Sequence, residues 1–176
     1  MFALDIDQEI RLCLVHEKFA STYVRLATEN YDYLTQWLPW PKTNKTEDDF
    51  KGFIQGALHK FADNKGITFA IEFKGEVVGN IALFDVNTPL KKAEIGYWII
   101  ESAQGNGLIT RACHFLIDHA FTELDLEKIE IRAATENKPS RAVCERLGMK
   151  LEGVLTHQAV LNDKIVDHAI YGIHRA

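Results

Sequence analysis

The sequence has little of what marks an exported, membrane-bound or nucleic-acid-binding chain. It holds three cysteines, Cys13, Cys113 and Cys144, an odd number set far apart with no Cys-x-x-Cys pair. That argues against a disulfide framework or a metal site and suggests reduced thiols in a cytoplasmic protein. Basic residues are in the minority: 20 Lys and Arg stand against 25 Asp and Glu, for a formal net charge of −5. Neither nucleic acid nor an anionic membrane surface is expected as a partner, which leaves a small molecule or a protein. No segment approaches the ~20 consecutive apolar residues of a membrane span, and the acidic start lacks a basic region followed by an apolar run. The chain is therefore expected to be soluble and not exported. Repeats, low-complexity tracts and linkers are also missing, so its 176 residues, 47% of them hydrophobic, are read as one domain with a real core.

What is present centres on residues 93–110. Ala93 to Ile100 are rich in β-branched and aromatic residues, whereas from Leu108 the apolar positions (Ile109, Ala112, Cys113, Leu116, Ile117, Ala120) recur at helical spacing. Between them lies Gln104-Gly105-Asn106-Gly107. Two glycines there permit backbone conformations closed to other residues and leave the first N–H groups of the following helix uncovered. Free N–H groups and the positive end of a helix dipole make this a candidate anion site. It is neither the dinucleotide pattern G-x-G-x-x-G nor a P-loop, and an ordinary strand-to-helix turn fits the same residues.

Around that stretch the spacing predicts a first strand over residues 9–15, a helix over 16–28 and a short helix over 31–37. The latter ends at Leu38-Pro39-Trp40-Pro41, where two prolines are expected to force an extended segment. Thr46 and Asp49 resemble a capping box for a helix running to about Asn64. Strands over 67–73 and 76–84 are joined by a Lys74-Gly75 hairpin. After the central strand, turn and helix come a half-buried strand over 127–134, a helix from about Asn137 to Gly148, and two strands around Asn162-Asp163-Lys164. The pattern is α/β (α+β), with a mixed, mostly antiparallel sheet of about seven strands flanked by helices.

This order of parts, with Q-x-x-G at the turn and Asn137-x-x-Ser140 opening a helix that ends Glu145-Arg146-Leu147-Gly148-Met149, resembles the GNAT superfamily of N-acetyltransferases. Trp37-Leu38-Pro39-Trp40, the run Ala93 to Trp98, and Leu151-Glu152-Gly153-Val154-Leu155 are similar to the RimJ/RimL-type branch, which acetylates N-terminal amines of ribosomal proteins and, in other cases, small amines. The resemblance implies splayed central strands, acetyl-CoA as cosubstrate without a metal, direct transfer to an amine in a ternary complex, and a homodimer. A small-amine acetyltransferase and a non-catalytic acyl-CoA-binding module are the alternatives.

Carried over by residue, the resemblance puts the acetyl-CoA pyrophosphate on Gln104, Gly105, Asn106, Gly107, Leu108, Ile109 and Thr110, and the pantetheine arm along Ile99 and Ile100. Ile109 stands where Gly or Ala is usual and Asn106 where a basic residue is common, which leaves Arg111 or Arg141 to supply positive charge. Asn137 is either a cofactor contact or a plain helix cap. Ser140 either donates a hydrogen bond to the departing thiolate or is an ordinary residue in the first helical turn. Glu94 is either the base that takes the amine proton and part of the acceptor site, or one half of a cross-strand salt bridge. The branch tends to carry a glutamate after its Leu-Glu-Gly motif, but this chain reads Thr156-His157-Gln158-Ala159-Val160, so His157 is a second candidate base with a surface histidine as its other reading. Tyr31, Trp37 and Trp40 either line an acceptor pocket or pack in the core. His168 and His174 are read as surface or core residues, and Cys144 as a buried, inert thiol.

Overall fold

Period-two and helical patterning lay out the chain in order, and the structure, a computed structural model, describes residues 2–176. Its elements are β1 (Ala3–Asp5), β2 (Ile10–Leu14), α1 (Ala20–Glu29), α2 (Tyr31–Leu34), α3 (Glu47–Ala62), β3 (Ile67–Phe73), β4 (Glu76–Asn87), β5 (Lys92–Ile99), α4 (Leu108–Thr122), β6 (Lys128–Ala134), α5 (Lys138–Arg146), β7 (Lys150–Leu161) and β8 (Lys164–His174). Local chemistry accounts for several of the boundaries. Thr46 Oγ1 accepts the Asp49 N–H at 3.2 Å while the Asp49 carboxylate accepts the Thr46 N–H at 2.9 Å, closing the capping box that starts α3. Lys74 and Gly75 take φ of 52° and 86°, the twin positive values of a tight hairpin, and Asn162 and Asp163 do the same between β7 and β8.

The structure departs from the sequence reading in several places, and α2 stops at Leu34, three residues short of its expected end. An eighth strand, β1, adds to the edge of β2 through Ala3↔Cys13 and Asp5↔Arg11; three residues are too few for periodicity to register. The helix predicted from His16 opens instead as a 3-10 turn, Glu17–Phe19, because His16 is extended and its ring caps the Lys18 N–H. The proline segment is not extended. Pro39 has φ −80° and ψ −29°, and Trp40–Lys42 form a 3-10 turn, in which a proline's missing N–H costs nothing at the first positions.

The sheet runs β1-β2-β3-β4-β5-β6-β8-β7. Every neighbouring pair is antiparallel except β5 and β6, which are parallel. Both faces are covered. Cys13, Ala70, Tyr23, Phe50 and Ile54 form one core under α1 and α3, while Ile81, Ile95, Ile131, Cys113, Leu116 and Cys144 form the other with α4 and α5. All three cysteines are buried free thiols, and burial pushes the Cys13 and Cys144 thiols up to about 11 and about 12. No helix among the described residues is long and apolar enough to cross a membrane.

The parallel β5–β6 pairing is short. It comprises only Lys92↔Lys128, Ala93↔Ile129 and Glu94↔Glu130. Beyond Glu94, β5 stays paired with β4 as far as Gly79↔Ile99, and β6 stays paired with β8 as far as Ala134↔His168. The two central strands therefore part, and the facing edges of their last residues have no strand partner. Gly79 keeps β4 and β5 close at the open end: a Cβ there would lie 2.1 Å from the Trp98 carbonyl oxygen and 2.8 Å from the Ile99 Cα. Backbone cannot rotate away as a flexible side chain can. Gly79→Ala is expected to lower stability by at least about 2 kcal/mol, and the melting temperature by roughly 4–8 °C, in a thermal denaturation experiment.

Candidate active site

The parted strands open into a cleft of about 540 Å³, bounded by the end of β5, the turn into α4, the segment after α2 and one side of α5. Ile99, Gln104, Gly105, Gly107, Leu108, Ile109, Thr110, Asn137, Ser140 and Trp37 all line it. Residues more than 100 positions apart in the chain thus share one surface.

The turn is built as its glycines suggest. After a 3-10 turn at Glu101–Ala103, Gly105 and Gly107 adopt φ of 79° and 66°, and a Cβ at either would meet nothing within 4 Å. Gly107 caps α4 from the left-handed region without any side-chain hydrogen bond to the first turn. The N–H groups at the start of this 15-residue helix are open to an anionic ligand, with the helix dipole adding to their attraction. Asn106 is exposed but folds back onto its own loop, its amide donating to the Ala103 and Gln104 carbonyl oxygens at 3.1 and 3.2 Å, so it stiffens the loop and does not line the cleft.

The positive charge comes from an unexpected residue. Arg111 is held by Asp7 at 2.7 Å and by the Asn106 carbonyl oxygen at 3.0 Å, while Arg141 donates to the Tyr171 hydroxyl and the Thr135 carbonyl oxygen, both at 2.9 Å. Neither lines the cleft. Arg146 does, with its Nε 3.2 Å from the Thr110 hydroxyl and no carboxylate partner among the described residues. Helical spacing could have found it, since Pro139, Ala142, Val143 and Arg146 form one stripe of α5 that faces the cleft.

On the opposite wall, Asn137 Oδ1 accepts the Ser140 N–H at 3.3 Å and so caps α5. Ser140 Oγ lies 2.9 Å from the hydroxyl of Tyr97, which extends from β5 across the gap. Burial holds that phenol well above the usual tyrosine range. Tyr97, Trp98 and Tyr33 line the cleft as well, and the Gln104 amide donates to the Tyr33 hydroxyl. Sequence reasoning passed over all three. Tyr97 lies two residues before Ile99 and hence on the same strand face, and Tyr33 lies one helical turn before Trp37.

The remaining candidates lie elsewhere. Glu94 sits in the closed, paired part of β5 and does not line the cleft; its carboxylate is 3.1 Å from Arg132 Nε. Burial raises its pKa, and Arg132 partly offsets this. His157 is exposed in a bulge of β7 at φ 57°, with its N–H held by Asp167 at 2.9 Å. Trp40 packs 5.3 Å from Trp98 and 5.8 Å from Phe50 in the core under α1 and α3, and Tyr31 is exposed at the start of α2. Ile100 is packed against the other core, and its N–H donates to the Val78 carbonyl oxygen at 2.9 Å. His168, half-buried and facing the Arg132 charge, has its pKa lowered chiefly by burial.

Comparison with known proteins agrees with this architecture. The acetyltransferase (GNAT) domain family matches residues 11–150. The putative ribosomal N-acetyltransferase YdaF of Bacillus subtilis is 33% identical over 98% of this chain and 95% of its own length. The ribosomal-protein-serine acetyltransferase of Escherichia coli is 31% identical over 96% of this chain and 94% of its own. Among solved structures, the microcin C7 self immunity acetyltransferase MccE in complex with acetyl-CoA and AMP superposes with a TM-score of 0.91 at 27% identity, over 97% of this chain and 94% of that one. The chain belongs to the GNAT acetyltransferase family and is an acetyl-CoA-dependent N-acetyltransferase.

Asn137 is an N-cap whose loss leaves a helix N–H without its partner. Asn137→Ala is expected to cost about 1 kcal/mol, or roughly 2–4 °C in melting temperature, in the absence of any ligand.

Proposed function

We propose that this chain transfers the acetyl group of acetyl-CoA to the N-terminal α-amine of a protein in a ternary complex, without a metal. The observation that carries the reading is the continuity of the cleft, which joins the α4 turn with its free first N–H groups, the Ser140 hydroxyl and the aromatic segment after α2 on one surface. The acceptor class is supported by the relatives in Bacillus subtilis and Escherichia coli, whose names assign them to ribosomal proteins. A net charge of −5 suits a cationic acceptor and neither nucleic acid nor an anionic membrane, and buried free thiols suit a cytoplasmic location.

In this reading, the N–H groups of residues 104–110 and the Arg146 guanidinium take the phosphates, and the strand edge of β5 beyond Glu94, with Ile99, takes the amides of the pantetheine arm. Acetyl-CoA supplies an activated thioester. Ser140 donates a hydrogen bond to the departing sulfur, and Trp37, Tyr33 and Trp98 flank the acceptor, their ring faces attracting a cationic chain end. Glu94 receives the amine proton through water, since it stands behind the cleft wall and not on it; His157, exposed in the β7 bulge, has no part. A homodimer is part of the proposal. Leu151, Val154, Leu155, Val160 and Ile165 leave the β7–β8 hairpin apolar and between 44% and 64% exposed at a sheet edge, and a second copy would cover it.

Mass-spectrometric screening of acetyl-CoA with protein N-terminal peptides and small amines tests the activity. Acetylated peptide α-amines are expected, and products from small amines alone would overturn the acceptor class. Arg146→Ala and Gly107→Glu are each expected to weaken acetyl-CoA binding about 10- to 100-fold by calorimetric titration, the first by losing a charge-assisted hydrogen bond and the second by adding a negative charge. In the pH–rate profile, a base with a raised carboxylate pKa is active only when deprotonated, so activity climbs as pH rises through that pKa. Glu94→Gln is expected to lose this acid-side limb while keeping the later rise set by the acceptor amine, at about pH 8 for an α-amine; His157→Ala is expected to keep both.

A further inference from the structure

Tyr97 is a half-buried tyrosine in the cleft wall that the proposed chemistry leaves without a role. It projects from the part of β5 that β6 no longer pairs, and its oxygen ends 2.9 Å from Ser140 Oγ and 3.4 Å from the Ser140 carbonyl oxygen. Among the described residues, Ser140 Oγ has no other hydrogen-bond partner, while the Ser140 N–H is already taken by Asn137. The ring alone would fill the apolar space beside Ile99; the hydroxyl serves only Ser140.

We infer that Tyr97 is a positioning residue for the leaving group: its O–H donates to Ser140 Oγ and thereby turns the serine proton toward the thioester sulfur. The inference rests on the proposed acetyl transfer. The alternative polarity, with the serine donating to the phenol, would use up the one proton that Ser140 has to offer. Burial keeps the phenol protonated, so it stays a donor at every working pH. Two hydroxyls in series also polarise each other, making the terminal one the stronger donor.

In the reaction, the amine lone pair forms the N–C bond, the C–S bond breaks, and its electron pair goes to sulfur. The Ser140 hydrogen bond stabilises that thiolate, and no proton leaves Tyr97. The proton shed by nitrogen passes to water through Glu94, and the sulfur takes one back from water.

The test measures steady-state kinetics of the wild-type protein, Tyr97→Phe, Ser140→Ala and the double variant. Each is assayed with acetyl-CoA and with the acetyl thioester of a CoA analogue whose thiol is acidified by fluorination. Tyr97→Phe is expected to lower kcat about 10- to 100-fold with KM for acetyl-CoA within about threefold, and the double variant to be no slower than Ser140→Ala. With the acidified leaving group, the Tyr97→Phe loss is expected to shrink at least about fivefold, because a better leaving thiolate needs less stabilisation; a merely structural tie would give equal losses with both donors. Unchanged kcat, multiplicative losses in the double variant, or equal losses with both donors overturn the inference. If Tyr97→Phe does not fold, 3-fluorotyrosine at position 97 keeps the ring and a more acidic hydroxyl. A kcat then changed by less than about 1.5-fold with acetyl-CoA overturns the inference, and a larger change that vanishes in Ser140→Ala supports it. A wild-type protein that acetylates no amine overturns the activity and the Tyr97 role together, whereas wild-type turnover with an undiminished Tyr97→Phe overturns the Tyr97 role alone.

Discussion

Backbone hydrogen bonding between β5 and β6 lasts for three residues and then stops, and most of the functional architecture depends on where it stops. A strand edge without a partner must be satisfied by something else, because buried N–H and C=O groups left alone are costly. Here each strand is secured along its outer edge, β5 by β4 and β6 by β8, so the sheet tolerates an internal gap without unravelling. In the proposed reading the gap takes the extended pantetheine arm as though it were a strand. At its far end the chain turns through two left-handed glycines into α4, which brings the positive end of a helix to the mouth of the same opening.

The closed end of the junction is held by charge. Glu130 is buried on β6 with Lys128 at 2.8 Å, Lys92 at 3.0 Å and Arg132 at 3.7 Å, while Arg132 also reaches Glu94 at 3.1 Å. These two glutamates are directly paired in register yet shift in opposite directions. Burial raises both, but the two lysine hydrogen bonds on Glu130 outweigh it and leave that carboxyl below the usual range, whereas one arginine does not suffice for Glu94, which stays raised. The fold thus sets a firmly ionised anchor beside a more protonatable carboxylate, which suits the proton-accepting role proposed for Glu94.

Aromatic packing supports the other side. Trp98 on β5 lies 5.8 Å from Tyr23 and 5.3 Å from Trp40, and the Asn80 amide donates to the buried Tyr23 hydroxyl at 3.0 Å. The layer of α1 and α3 is in this way tied to the strand that forms the cleft wall. Of the two tryptophans in the proline-rich segment, Trp40 serves this core and Trp37, three residues earlier, faces the cleft.

Much of this was written in local sequence. Alternation placed β6 within a residue of its Lys128–Ala134 span, the Thr46 and Asp49 pair set the start of α3, and the glycines at 105 and 107 marked the turn, because periodicity, capping and positive φ are decided among near neighbours. The choice between local alternatives was not. Whether Glu94 meets Arg132 or a ligand, whether Arg111, Arg141 or Arg146 reaches the cleft, and whether Trp37 or Trp40 lines it all turn on contacts between distant segments: Asp7 draws Arg111 away, Tyr171 draws Arg141, and Phe50 and Trp98 draw Trp40. Tyr97 and Ser140 stand 43 residues apart, and no spacing rule pairs them. Short-range geometry made most of the elements, their order and the glycine turn into α4 legible in the residues alone, with β1 and the proline segment as exceptions. Which charges and hydroxyls face the cleft was settled by packing between distant segments, because it depends on where two strands part and on what crosses the space between them.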